Sequence, residues 1–123
     1  MATLLFTTVF LTFPLPTGAS PPEATITGEV VDTTCYLLHE AKGPGHKECA
    51  ISCVNAGSPA AILDEKTGRL VYPLARVSQT EHHAHRPDQK LLPFVGERVR
   101  VTGTLVARAG VTAITVEQVE RAR

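Results

Sequence analysis

The sequence predicts an all-β domain with a short helix or two, arranged as a small five-stranded barrel of the OB type. Three observations carry this. Five segments are rich in β-branched residues and alternate apolar with polar positions. A helix-compatible segment lies between the third and fourth of them, which is the element order of an OB barrel. A Cys- and His-rich helical insertion separates the first two strands, in a loop through which this fold commonly acts. Closing the sheet also removes its exposed edges. An open meander is the alternative arrangement of the same strands.

The elements follow in order. Residues 25–32 alternate through Ile26, Val30 and Val31 and read as the first strand. Ala41-Lys42-Gly43-Pro44-Gly45 is a flexible turn. Residues 46–56 have helical character, stopped by Gly57-Ser58-Pro59. Residues 60–64 and 69–74 are the second and third strands, joined as a hairpin by Glu65-Lys66-Thr67-Gly68. Residues 88–94 suit a short helix ended by Gly96. Residues 97–106 and 111–119 alternate strictly, and Ala109-Gly110 turns them into a C-terminal hairpin. Gly28 and Gly103 fall mid-strand, where the absence of a side chain permits the sharp bends of a barrel. Asp32, Asp64 and Glu65 read as turn and cap residues, and Tyr36 as a core residue.

Composition bounds the function. With 123 residues the chain is one domain, 43% hydrophobic and 20% charged. Twelve basic and 12 acidic side chains cancel, so no basic stripe marks a nucleic-acid surface. Aromatic residues make up 5% and Trp is absent, which leaves few platforms for stacking bases. The apolar, uncharged run of residues 4–15 is too short to span a bilayer and ends in prolines. Residues 1–19 therefore read as a secretory signal cleaved near Ala19, residues 20–24 as a linker, and residues 25–120 as a single OB-like domain. Only the amino terminus supplies positive charge ahead of the run. No cysteine follows it to take a lipid, so the expectation is an exported protein, periplasmic or extracellular, without a membrane anchor after processing.

The chemistry gathers in the insertion. All three cysteines, Cys35, Cys49 and Cys53, lie there with His39 and His46. On this helix His46, Cys49 and Cys53 fall at i, i+3 and i+7, so their side chains project to one side. Cys35 or His39 would close the site from the preceding segment. Three thiolates and one imidazole form a tetrahedral set suited to zinc or copper. The His-rich tract His82-His83-Ala84-His85 is a second candidate, with His82, His83 or His85 as additional ligands; a solvated polar loop is the plainer reading of it. No Cys-x-x-Cys-His occurs, so covalent haem attachment is not indicated and haem is the less favoured cofactor. A disulfide from Cys35 to Cys49 or Cys53 competes with the metal. It would staple the insertion to the first strand and leave one free thiol. No nucleophile elbow, phosphate loop or paired-carboxylate motif is present, so an ordinary hydrolase is unsupported.

Gly28-Glu29-Val30-Val31-Asp32-x-x-Cys35-Tyr36, His46-x-x-Cys49-Ala50-x-x-Cys53, Gly57-x-Pro59 and Val99-x-Val101-x-Gly103 together carry a resemblance. The chain resembles a group of small exported bacterial proteins with OB-like barrels. The Cys-Tyr and His-x-x-Cys-Ala-x-x-Cys parts are the specific ones, and the strand parts are generic. The resemblance implies the fold and export, not a mechanism. Three functional readings follow from the residues. The first is an exported metal-binding or accessory module. The second is a disulfide-stapled subunit that binds a protein partner or assembles into a larger extracytoplasmic complex; zero net charge fits a protein better than nucleic acid. The third is thiol redox exchange by Cys49 and Cys53, which requires a depressed thiol pKa.

Overall fold

A computed structural model describes residues 22–75 and 86–123. The expected signal at residues 1–19 and the histidines His82, His83 and His85 lie outside the described residues. The predicted fold class is found. Strands β1 (Glu23–Asp32), β2 (Ala60–Asp64), β3 (Leu70–Leu74), β4 (Arg98–Arg108) and β5 (Val111–Arg121) close into a barrel in the order β1-β2-β3-β5-β4. Helices α1 (Thr33–His39) and α2 (Lys47–Asn55) are inserted between β1 and β2.

β1 serves two neighbours. Residues 23–29 pair antiparallel with β4, while residues 28–32 pair antiparallel with β2. Gly28 is at the crossover, paired with Val99 on one side and Asp64 on the other. A Cβ at Gly28 would run into the carbonyl oxygen of Leu63, so only glycine lets the strand bend here. Gly103 does the same for β4. The register slips between Thr102 and Gly103, and a Cβ there would meet the Thr115 carbonyl oxygen. β3 and β5 pair in parallel and shut the barrel. The β4–β5 hairpin turns on Ala109 (φ 51°) and Gly110 (φ 79°), the two left-handed residues of a type I′ turn.

The alternation of β-branched residues builds the core directly. Val30, Ile62, Val99, Val101 and Ile114 are completely buried on the inner face. Ala50 and Val54 from α2 join them, and Leu91 and Val95 also pack into the cluster. The segment carrying Val95 is tied to β1 by hydrogen bonds from Gly96 N to Val30 O (2.8 Å) and from Val30 N to Glu97 O (3.0 Å).

Two local expectations change. The helix predicted over residues 88–94 is a run of turns ending in a 3₁₀ turn, Leu92–Phe94. Pro93 supplies no N–H and disfavours helical backbone at Leu92, and the Asp88 carbonyl accepts from both Leu91 N and Leu92 N. The stretch around Cys35, with no element assigned from sequence, is the helix α1. Asp32 caps it, its side chain accepting from Thr34 N and Cys35 N, both at 3.1 Å. Asp64 is the expected turn residue, accepting from Lys66 N and Thr67 Oγ1. Glu65 lies in the same turn, as expected, and its side chain pairs with Arg98 across the surface at 2.6 Å. Tyr36 is half-buried and lines a cleft instead of entering the core.

Candidate metal centre

The site is assembled by burying one face of α2. Ala50 and Val54, one helical turn apart, face the core. Cys49 and Cys53 have the same spacing one residue earlier, on the adjoining stripe of the helix. α1 brings Cys35 against them. The ligand atoms of Cys35, Cys49 and Cys53 lie within 4.8 Å of one another, and the sulfurs of Cys35 and Cys53 are 3.9 Å apart. A tetrahedron with metal–sulfur bonds of about 2.3 Å has edges of about 3.8 Å. The cluster therefore has the spacing of sulfurs that share one ion, and it can hold a metal.

The two short helices are held in place by contacts distant in sequence. Thr33 N and Thr33 Oγ1 both donate to Pro59 O, at 3.0 and 2.9 Å. Ser58 Oγ donates to Asp32 Oδ1 and accepts from Thr34 Oγ1. The chain leaving α2 is thus fastened to the start of α1. Arg86 then closes the C-terminal end of α2 by donating to Val54 O (3.1 Å), while pairing with buried Asp88.

His46 does not share the face expected of it. It sits in a 3₁₀ turn, Pro44–His46, ahead of α2, so the helical phase breaks between His46 and Cys49. Its ligand atom groups instead with Asp32 and Cys35, again within 4.8 Å. Cys35 is common to both triplets, and no single group within that distance contains His46 with all three cysteines. His46 Nε2 is buried without a hydrogen-bond partner among the described residues. His39, the other candidate from the insertion, is exposed and belongs to neither triplet.

Electrostatics sets the resting state of the thiols. The hydrogen bond to Asp32 is the main cause that pushes Cys35 up to about 12, with burial and neighbouring Cys53 adding to it. Contact with Cys35 pulls Cys53 down, but burial, Cys49 and Asp32 outweigh it, and the Cys53 thiol also stands above its ordinary value. Burial pushes the Asp32 carboxyl up, yet its hydrogen bonds from Cys35, Ser58 and Thr34 hold it below the usual range. Cys53 therefore lacks the depressed pKa that an exchange-active thiol needs. A bound metal ion reverses this balance by displacing the thiol protons.

All three cysteines are free thiols here, with no disulfide between them. Cys49 is exposed, and Cys35 and Cys53 are half-buried. Beyond the sulfurs α1 presents Leu37 and Leu38 to solvent, 65% and 70% exposed. A cleft of about 610 Å³ lies nearby, lined by Glu29, Tyr36, Lys42, Gly43 and Leu63 but by none of the cysteines. Asp32 is the cap expected from the sequence, and the part of the site not foreseen is its contact with Cys35 and the support of Ser58 under it. The Asp32-Thr33-Thr34 run is an N-cap signal and would have located α1. No protein-family model, curated protein or solved structure matches this sequence.

Proposed function

We propose that this chain is an exported metal-binding or accessory module whose OB-like barrel holds a zinc or copper ion through Cys35, Cys49 and Cys53, with His46 beside Cys35. The observation that carries the reading is the convergence of three thiols from two helices, with a ligand atom of His46 close to one of them. Soft thiolates select these ions over magnesium or calcium. Core packing of Ala50 and Val54 and the Asp32 cap on α1 support the placement of the sulfurs before any ion arrives. The barrel supplies rigidity and the ion is the ligand; the reading includes no catalytic step. Export rests on the apolar N-terminal run and on the resemblance in the Cys/His motif. The test is elemental analysis of protein purified under reducing conditions. Near-stoichiometric zinc or copper is expected, and its absence together with failure to take up either ion on titration would sink the reading.

A second reading has its own support. Cys35 and Cys53 are neighbours, and Leu37 and Leu38 are exposed beside them. On this reading oxidation staples α1 to α2, and the apolar surface of α1 meets a protein partner. Thiol counting separates the two. One free thiol in protein isolated without reductant supports the staple, whereas three thiols protected only while metal is present support the metal centre.

A further inference from the structure

Beyond zinc or copper, the charge and coordination number around the three sulfurs suit a further class of thiophilic ligand. This step rests on reading the cysteines as ligands of a single ion. Among the described residues, the group that holds all three cysteines consists of the three sulfurs, and Asp32 and His46 join Cys35 in a separate triplet. Asp32 is adjacent to it but already committed. Its Oδ1 accepts from Thr34 N and Ser58 Oγ, and its Oδ2 from Cys35 N. Recruiting Asp32 as a fourth ligand would uncap α1. His46 groups with Cys35 on the Asp32 side and not with Cys49 and Cys53 together. Among the described residues, the preformed coordination number is therefore three.

Charge makes a second selection. Three thiolates around a divalent ion give a net charge of minus one, and around a monovalent ion minus two. Either complex would place net negative charge beside the buried Asp32 carboxylate, which repels it. A trivalent centre bound by three thiolates is neutral.

We propose that the triad Cys35, Cys49 and Cys53 takes a trivalent, three-coordinate thiophilic ligand of the arsenite class, As(OH)₃. Each sulfur displaces one hydroxyl. Three As–O bonds break and three As–S bonds form, and each thiol proton leaves with a hydroxyl as water. Arsenic stays trivalent throughout, so no oxidant or reductant is needed, and no net proton is released. Exposed Cys49 offers the first attachment, and half-buried Cys35 and Cys53 complete the ring.

The experiment uses the reduced full chain and sodium arsenite, with zinc and copper(I) in parallel arms. The expected result is loss of all three titratable thiols at one equivalent of arsenite. Mass spectrometry should show a gain of one arsenic less three hydrogens. Binding should hold nearly constant from pH 5.5 to 7.5, roughly the range over which ordinary zinc–thiolate binding weakens in acid. Cys49→Ser, at an exposed position, should retain the fold and weaken arsenite retention about 100-fold, the lower end of what one tethered attachment contributes. Cys53→Ser provides the same reading from the interior of the site. Arsenite that consumes only two thiols, with an As–OH retained in the mass, overturns the proposal. So does arsenite that leaves the thiols free while zinc or copper(I) protects them, although the metal-centre reading then stands. Thiols that no ion protects overturn both.

Discussion

The C-terminal hairpin and the Cys/His insertion are built on opposite principles. In the hairpin, β4 and β5 pair along nearly their whole length, and each alternate residue that points inward is apolar. Its turn is fixed by two adjacent residues with positive φ. The instructions are local and repeated, so each strand confirms the other. The insertion carries helices of seven and nine residues, too short to persist alone. They stand because Asp32, Ser58, Pro59 and Arg86, spread along the chain, fasten their ends. Reactive side chains are thus placed on a segment whose geometry is borrowed from the barrel, to which it returns Ala50 and Val54 as core residues.

This contrast can be broken from the barrel side first. Gly103→Ala should cause the largest loss, about 3 kcal/mol, because the new Cβ meets backbone and not a movable side chain. Urea unfolding should show a lower midpoint with an unchanged slope. From the insertion side, metal should act in the opposite direction. Zinc at a free concentration of about 100 times its Kd should stabilise reduced protein by about 2.7 kcal/mol. Cys53→Ser should remove most of that gain, and thermal melts with and without a chelator would measure it.

The junction between the two regions is sharper still. Asp88 is buried, accepts from Ala60 N at 3.1 Å, and pairs with Arg86, which holds the end of α2. Asp88→Asn should cost about 2 kcal/mol at neutral pH, the worth of a charge-assisted bond. Burial raises the Asp88 carboxyl, but Arg86 and the Ala60 N–H more than offset it, so it stays below its ordinary 3.8. A depressed carboxylate stabilises the fold fully above its unfolded value, and the contribution fades as pH falls through the lower folded one. Wild-type stability should therefore drop below about pH 4, and Asp88→Asn should show a shallower acid limb in urea titrations at stepped pH. The smallest effect belongs to the hairpin turn. Ala109 carries φ 51°, a conformation that costs a side-chain-bearing residue about 1 kcal/mol. Ala109→Gly should raise the urea midpoint by a correspondingly small amount.

Much of the barrel was legible. Strand spacing, the two bend glycines and the place of the insertion all follow from residue pattern, because period-two alternation has few other solutions. The ends were less so: β1 begins at Glu23 and not Thr25, since Leu105 N donates to Pro22 O and draws the chain into the sheet. The site was legible as an inventory but not as an arrangement. Cys35, Cys49 and Cys53 do meet. His46 left their face because Pro44 and Gly45 tighten the chain into a 3₁₀ turn before α2 begins.

The sequence by itself determined that there would be five strands around a small core and that thiol chemistry would lie between the first two, while the closure of the sheet came from the structure. Those statements rest on periodicity and on residue type, which need no knowledge of distant contacts. Only the tertiary structure decided that Cys35 sits on a helix capped by a buried carboxylate, that His46 faces Asp32, and that three sulfurs form the closest set. Those positions are set by contacts such as Ser58 to Asp32 and Thr33 to Pro59, between residues 26 apart in the chain. No local pattern encodes a contact of that length.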